Sequence, residues 1–137
     1  MYNRVQVNTG FAETTASWTY ASTTVREIHG DTSAVIAYVR GVNEDNMQIT
    51  AQEYSQGGTG SVLYGGICYN ATNAFTGLAG AGGESGSVGN SVGELNLSDL
   101  GYNFVAQCEA NSSTNTSTAL GSIGPVLGVG MNILGRF

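Results

Sequence analysis

The chain has 137 residues, of which 21 are glycine and only 10% are charged, and this length suits one domain with one core. Four arginines, no lysine and ten carboxylates give a net charge of −6. Binding to nucleic acid or to an anionic membrane surface needs clustered cations, so this balance argues against both. The most apolar segment, 123–134, is shorter than the roughly 20 residues of a membrane helix.

The N-terminal segment predicts short strands. Nothing from Met1 to Arg4 begins an apolar signal region, so we expect no secretory signal. Val5 and Val7 alternate with polar residues, which indicates a short strand or an extended arm within residues 1–10. The β-branched and aromatic runs 17–20 and 24–28 predict two further strands.

The segment 32–54 is the central element of the predicted fold. Two alternating strands flank the polar run 43–46, which is typical of a hairpin loop. A four-residue loop would place Tyr38 opposite Ala51 and Ile36 opposite Glu53. The first strand is apolar on both faces and the second is mixed, so we expect the first to be central and the second more peripheral.

The middle of the chain is rich in glycine. Residues 62–69 predict a strand in which the pair at 65 and 66 marks a bulge or bend. Residues 70–75 suit one helical turn, and the segment 77–93 has the composition of a flexible loop.

The C-terminal part returns to strand-like patterns. Residues 102–108 predict a strand and 111–118 a polar loop. The tail 120–137 has too many glycines for a stable helix, so we expect it to be extended, with apolar side chains that need a surface to cover. The two ends supply the residues predicted to form an interface, namely Val5, Val7, Ile123, Val126, Leu127, Val129, Met131, Ile133, Leu134 and Phe137.

These patterns predict an all-β fold. Eight to ten short strands and no long amphipathic helix are typical of a single β-sandwich or small barrel. We expect one domain, 1–137, with an extended N-terminal arm and a C-terminal tail.

The two cysteines, Cys68 and Cys108, do not have metal-binding or redox-motif spacing. We interpret them as free structural thiols in strands, with a disulfide as the alternative.

Candidate chemistry is sparse. His29, the single histidine, has Asp31 nearby and could be oriented as a base for a serine, but a turn histidine beside an acid is more often a hydrogen-bonding group. The run 43–46 offers oxygen ligands to calcium without the spacing of a known calcium loop. Glycoside hydrolysis uses a pair of carboxylates, and Glu27, Glu53 and Glu94, which lie in or near predicted strands, are the candidates for such a pair. We assign no catalytic, cofactor-binding or metal-binding residue and expect no enzyme activity.

Seven aromatic residues offer another interpretation. They could line a sugar-binding face, although strand packing is the more common role of such residues. They are Trp18, Tyr20, Tyr38, Tyr54, Tyr64, Tyr69 and Tyr102.

Three features of the sequence point to a family. The chain starts at Met1 without an apparent signal, has Gly/Ser/Thr/Asn-rich loops at 55–61 and 77–93, and lacks a recognisable catalytic set. In these respects it resembles the small β-rich structural proteins of tailed bacteriophage virions, particularly capsid decoration (cement) proteins and tail or fibre components. The resemblance implies a virion protein without cofactors that forms a homo-oligomer, often a trimer, on a capsid or tail. It implies that residues 2–8 or 120–137 dock on the shell. The alternatives are a carbohydrate-binding or adhesin-like β-sandwich and a tail or filament subunit.

Overall fold

The computed structural model describes residues 6–41, 47–76, 79–84, 88–123, 126–127 and 129–136. These residues form an all-β structure with two antiparallel sheets, which confirms the predicted fold class. The strands are β1 (Gln6–Ala12), β2 (Ser17–Tyr20), β3 (Arg26–Glu27), β4 (Val35–Arg40), β5 (Met47–Gln56), β6 (Val62–Tyr69), β7 (Ala79–Glu84), β8 (Val88–Leu97), β9 (Gly101–Asn111), β10 (Ser117–Leu120), β11 (Ser122–Ile123), β12 (Val126–Leu127) and β13 (Val129–Arg136). A 3-10 turn, Ile28–Gly30, follows β3.

Sheet A is built around β5. This strand pairs with β8 along one edge, and along the other edge with β13 and then with β10. Strand β1 extends the sheet beyond β13, and β2 extends it beyond β10. Alternate residues of β5 are buried and the residues between them are more exposed, as expected for a strand with one face on the core.

Sheet B is built around β9. One edge of β9 pairs with β6, which in turn pairs with β7, and the other edge pairs with β3 and β4. Strands β11 and β12 form a separate two-stranded ribbon.

The main core lies between the inward faces of the two sheets. Sheet A contributes Met47, Ile49 and Met131, and sheet B contributes Ile67 and Val105, each at most 1% exposed. Complete burial of one such side chain stabilises a fold by roughly 1.5–3 kcal/mol. A second cluster packs Trp18 of β2 with buried residues from both sheets.

The predicted hairpin between β4 and β5 is wrong. Strand β4 pairs with β9 in sheet B, so Tyr38 lies opposite Asn103 and Ile36 opposite Val105. Strand β5 belongs to sheet A and is its central strand, while β4 is peripheral. Local alternation is the same in a hairpin and in two strands of facing sheets, so the pattern did not distinguish them. The predicted loop 43–46 lies outside the described residues.

The glycine-rich middle of the chain is more regular than its composition suggested. Most of the segment predicted to be a flexible loop forms β7 and β8, because backbone pairing with β6 and β5 replaces the missing side-chain contacts. Residues 70–75 form bends and no helical turn. Strand β6 continues through Gly65 and Gly66, and the irregularity in its pairing with β7 lies between Val62 and Tyr64.

The described residues nearest the two chain ends, 6–12 and 129–136, form strands of sheet A. Residues 6–10 belong to β1 and pair with β13, so this part of the predicted arm is not free. The tail is extended, as expected, but β13 inserts between β1 and β5. The surface that this part of the tail covers is therefore the chain's own core.

The cysteines are joined in a disulfide, so the expectation of free thiols is wrong. Cys68 of β6 lies opposite Ala106, and Cys108 lies two residues further along β9 on the same face. This diagonal arrangement places the Cα atoms 6.1 Å apart, within the range that a disulfide spans. Both cysteines are buried beneath Val25, Val35 and Phe75.

Candidate functional site

A buried carboxylate is the centre of a polar cluster in the core. Glu109 points inward from β9 and is 0% exposed. Its Oε2 accepts a 2.8 Å hydrogen bond from the indole Nε1 of Trp18. Its Oε1 accepts hydrogen bonds from Arg26 Nε at 2.8 Å and from the His29 backbone N–H at 3.0 Å, and lies 2.7 Å from Arg26 Nη2. We call Glu109, Trp18, Arg26 and His29 the Glu109 cluster.

Local backbone geometry brings His29 into this cluster. The residue has φ 57° and ψ 7°, in the left-handed region that histidine adopts more readily than most non-glycine residues. This conformation turns its N–H toward Glu109, and the imidazole stacks on Trp18 with ring centroids 5.0 Å apart. The guanidinium of Arg26 lies 3.8 Å from the centre of the Tyr20 ring, a cation–π contact. The cluster therefore ties β2, β3 and the 3-10 turn to β9.

A second carboxylate approaches the cluster from the opposite sheet. Glu53 points inward from β5 and is 1% exposed. Burial raises the pKa of Glu53 well above the usual range, and the negative charge of Glu109 raises it further. Burial also raises the pKa of Glu109, although the hydrogen bond from Trp18 and the charge of Arg26 oppose that shift. The two acids cannot both be ionised at low cost, so the core favours one proton on this pair.

The surroundings of His29 do not form a nucleophile–base–acid chain. Glu13 Oε2 lies 3.6 Å from His29 Nδ1, and Thr15 Oγ1 lies 3.4 Å from the same nitrogen. A catalytic histidine needs the hydroxyl and the carboxylate on opposite ring nitrogens. Asp31, considered from the sequence as the orienting acid, instead accepts hydrogen bonds from the backbone N–H and hydroxyl of Ser33, which lower its pKa.

The carboxylates considered for glycoside hydrolysis have different positions. Glu53 is buried, Glu27 is half-buried in β3, and Glu94 lies in β8 opposite Thr50. A sugar-cleaving pair must flank a substrate, and neither Glu53 nor Glu109 reaches solvent. The buried carboxylates of Glu53 and Glu109 are therefore not placed to contact a polysaccharide.

Within the ranges that the structure describes, no three His, Cys, Asp or Glu side chains are placed to hold a metal ion. The run 43–46, which the sequence suggested as a source of oxygen ligands for calcium, falls outside those ranges.

The most exposed large apolar side chains form a different kind of site. Val39 of β4 is 66% exposed, and its register partner Tyr102 of β9 is 69% exposed. Leu100, two residues before Tyr102, is 57% exposed. Exposed Ala37 lies opposite half-buried Phe104 on the same face. We call Val39, Leu100 and Tyr102 the outer patch. Val39 and Tyr102 lie on the face of sheet B that is turned away from sheet A, and Leu100 comes directly before β9.

The residues predicted to form an interface are divided by the fold. Val129, Met131 and Ile133 are at most 1% exposed and pack in the core, so their side chains are not available to a partner. Leu134 points away from the core and is 43% exposed. Three further members lie in short strands and one in β1; these are Ile123, Val126, Leu127 and Val7. Val5 and Phe137 lie outside the described residues.

The aromatic residues do not form one sugar-binding face. Trp18 and Tyr38 are buried, and Tyr64 and Tyr102 are exposed on sheet B. The remaining three are half-buried, namely Tyr20, Tyr54 and Tyr69.

Sequence reasoning missed both the Glu109 cluster and the outer patch. A local signal existed for the cluster, since Asn103, Gln107 and Glu109 occupy alternate positions of a strand whose face proved to be inward. Polar groups at inward positions require partners. No local signal identified those partners, because Trp18 and Arg26 are 91 and 83 residues away from Glu109.

Comparisons of the chain with protein-family models, with curated proteins and with solved structures found no match. Among the described residues, none belongs to a helix with the length and apolar character needed to cross a membrane.

Proposed function

We propose that this chain is a virion structural protein, a capsid decoration or cement protein that binds a phage shell through protein–protein contacts. The observation that supports this proposal is the outer patch. Scattered single apolar residues are normal on a surface, but neighbouring exposed side chains such as Val39, Leu100 and Tyr102 mark an interaction surface. The charged side chains of the Glu109 cluster bind one another inside the fold. The outer patch is therefore the best candidate for contact with a partner.

The patch suits a protein partner. Aromatic and aliphatic side chains supply most of the binding free energy at protein interfaces when a partner excludes water from them. The rigid pairing of β4 with β9 holds Val39 and Tyr102 side by side, so little conformational entropy is lost on binding. The proposed contact therefore lies on sheet B, whereas the sequence predicted it at the two ends of the chain.

The test is electron microscopy of particles purified from cultures that produce the chain, with gold-labelled antibodies against it. Regular labelling of the shell is the expected result. Labelling of the tail or of a free filament would support the tail-subunit alternative, and particles without label would contradict the proposal.

A paired variant, with two substitutions in the outer patch, tests whether the patch binds the shell. Val39→Thr combined with Tyr102→Ser should reduce co-sedimentation with shells that lack the chain by at least about tenfold, since each exposed anchor contributes roughly 1–2 kcal/mol. Tyr64→Ser is the matched control, because Tyr64 is an aromatic residue on the same face, 37% exposed and outside the patch. Equal loss in the control and in the paired variant would refute the assignment.

A carbohydrate-binding module is the second candidate function. It is favoured by a depression of about 360 Å³ on sheet A, lined by Gly10, Phe11, Ala12 and Gly130 and by the amides of Gln52 and Asn132. The six lining residues carry no charge, which suits a neutral sugar. Binding on a glycan array that is lost in Asn132→Ala would support this candidate.

A further inference from the structure

Strand β4 is a peripheral strand with an apolar sequence. Among the described residues, β9 is the strand that pairs with β4, and it does so along one edge. The run Val35–Ile36–Ala37–Tyr38–Val39 has no charge and no proline, and four of its five residues favour β structure. A strand of this composition at the edge of a sheet is prone to pair with a strand from another molecule.

The direction of the β4 backbone groups follows from one hydrogen bond. The N–H of Gln107 in β9 donates to the carbonyl of Ala34, so the backbone groups of residue 34 point toward β9. These groups alternate along an antiparallel strand. The N–H and C=O groups of Val35, Ala37 and Val39 therefore point away from β9, toward the opposite edge of β4.

An antiparallel copy of β4 matches this edge in one register best. With a two-fold axis at Ala37, Val35 of each copy lies opposite Val39 of the other, and the outward groups form up to about six backbone hydrogen bonds. A shift of the axis to residue 36 or 38 would place Val39 opposite Ser33 or Val35 opposite Gly41. The small Ala37 side chains at the axis avoid a clash between the two copies.

The paired segment itself adds no electrostatic repulsion between copies. A net charge of −6 opposes self-association over most of the surface. The paired segment 35–39 has no ionisable carboxylate, so the two-fold register places no like charges opposite one another. It also places an apolar neighbour beside Val39, which is 66% exposed in the single chain.

We infer that two copies of this chain associate through antiparallel pairing of their β4 strands, which joins the two B sheets into one continuous sheet. The contact is isologous and closes as a dimer. The inference deepens the proposed function and rests on it for its biological role, because the dimer would present two outer patches to a shell. The dimer differs from the trimer implied by the resemblance to cement proteins.

The test is sedimentation of the purified chain without any shell, from micromolar to submillimolar concentrations. The expected species has twice the 14.1 kDa mass of the chain. Ala37→Pro removes an N–H that points away from β9, so it leaves the β4–β9 hydrogen bonds intact while deleting both bonds at the two-fold axis. It should raise the dimer dissociation constant roughly 30-fold. Ala37→Ser keeps the N–H and should leave the constant within about threefold.

Cysteine variants test the same strand pairing independently. Ala37→Cys places the two new thiols opposite each other, so mild oxidation should trap a covalent dimer. Thr50→Cys, at an exposed position of sheet A, is the control and should not form one. A wild-type chain that remains at 14.1 kDa over the whole range, or a dimer that persists in Ala37→Pro, would overturn the inference. A monomer that still decorates shells refutes only the dimer, and a dimer that never labels shells refutes only the proposed function.

Discussion

The indole of Trp18 donates a 2.8 Å hydrogen bond to the carboxylate of Glu109, a residue 91 positions further along the chain. This contact joins sheet A to sheet B within the core, since Trp18 lies in β2 and Glu109 in β9. Sandwich cores are usually apolar, and a polar group buried in one must find a specific partner. The contact therefore helps to select one arrangement of the two sheets.

Glu109→Ala should lower the free energy of unfolding by about 3 kcal/mol. The change leaves the Trp18 indole and part of the Arg26 guanidinium without their acceptor in a buried site. Urea unfolding followed by Trp18 fluorescence measures the loss. Arg26→Lys should cost less, because the lysine ammonium retains the charge near Glu109. A Glu109→Ala chain as stable as the wild type would contradict a stabilising role for the cluster.

The stability of the fold should fall as the pH rises above the ordinary glutamate pKa of 4.5. Burial raises the pKa of Glu53 on folding, so the folded chain binds that proton more tightly than the unfolded chain does. The resulting stabilisation is complete below the unfolded value and is lost as the pH rises through the raised folded value. Unfolding free energies measured at a series of pH values should show this slope, and Glu53→Gln should flatten it.

Asp31→Asn provides a control of opposite sign. The Ser33 hydrogen bonds lower the pKa of Asp31, so its contribution is present above the unfolded value of 3.8 and is lost as the pH falls. This variant should lose that contribution, so its unfolding free energy should lie below the wild-type value above pH 3.8 and approach it at lower pH, while the slope caused by Glu53 is kept. A wild-type profile that is flat above pH 4.5 would contradict the role of Glu53.

Removal of the Cys68–Cys108 disulfide should destabilise the chain by about 2–4 kcal/mol. The bridge spans a sequence separation of 40 residues and so restricts the unfolded chain. Thermal unfolding with and without a reductant measures the effect, and alkylation of the denatured, non-reduced chain should detect no thiol. A variant with Cys68→Ala and Cys108→Ala should show the lower stability and no response to the reductant.

Gly121→Ala should destabilise the fold by about 1–3 kcal/mol. A Cβ atom at this position would collide with the backbone oxygen of Thr15 and would lie 3.1 Å from the Trp18 ring. Gly41→Ala is the matched control, because a Cβ there meets no atom within 4 Å. Chemical unfolding of both variants should show a loss only for the first, and equal stability would contradict the close packing around Gly121.

The fold class was predictable because it depends on local patterns. Strand β2 occupies the residues that its aromatic and β-branched pattern indicated, and β5 begins directly after the predicted loop 43–46. The many glycines of the tail excluded a helix, and β13 is extended.

Strand partners were not predictable in the same way. Alternation shows which residues share a face but not which strand lies beside them, so the pairing of β4 with β9 replaced a hairpin that suited the sequence equally well. The same limit applies to the disulfide, because the 40-residue separation of the cysteines is bridged only through the β6–β9 register.

The amino-acid sequence by itself determined the all-β class and the acidic, weakly charged composition, since these follow from residue content and from periodicity two along the chain. Only the tertiary structure decided that Val129, Met131 and Ile133 cover the chain's own core, while Val39 and Tyr102 remain in solvent. The physical reason is that burial depends on which sheet faces a side chain, and that choice is made by contacts between residues far apart in the sequence.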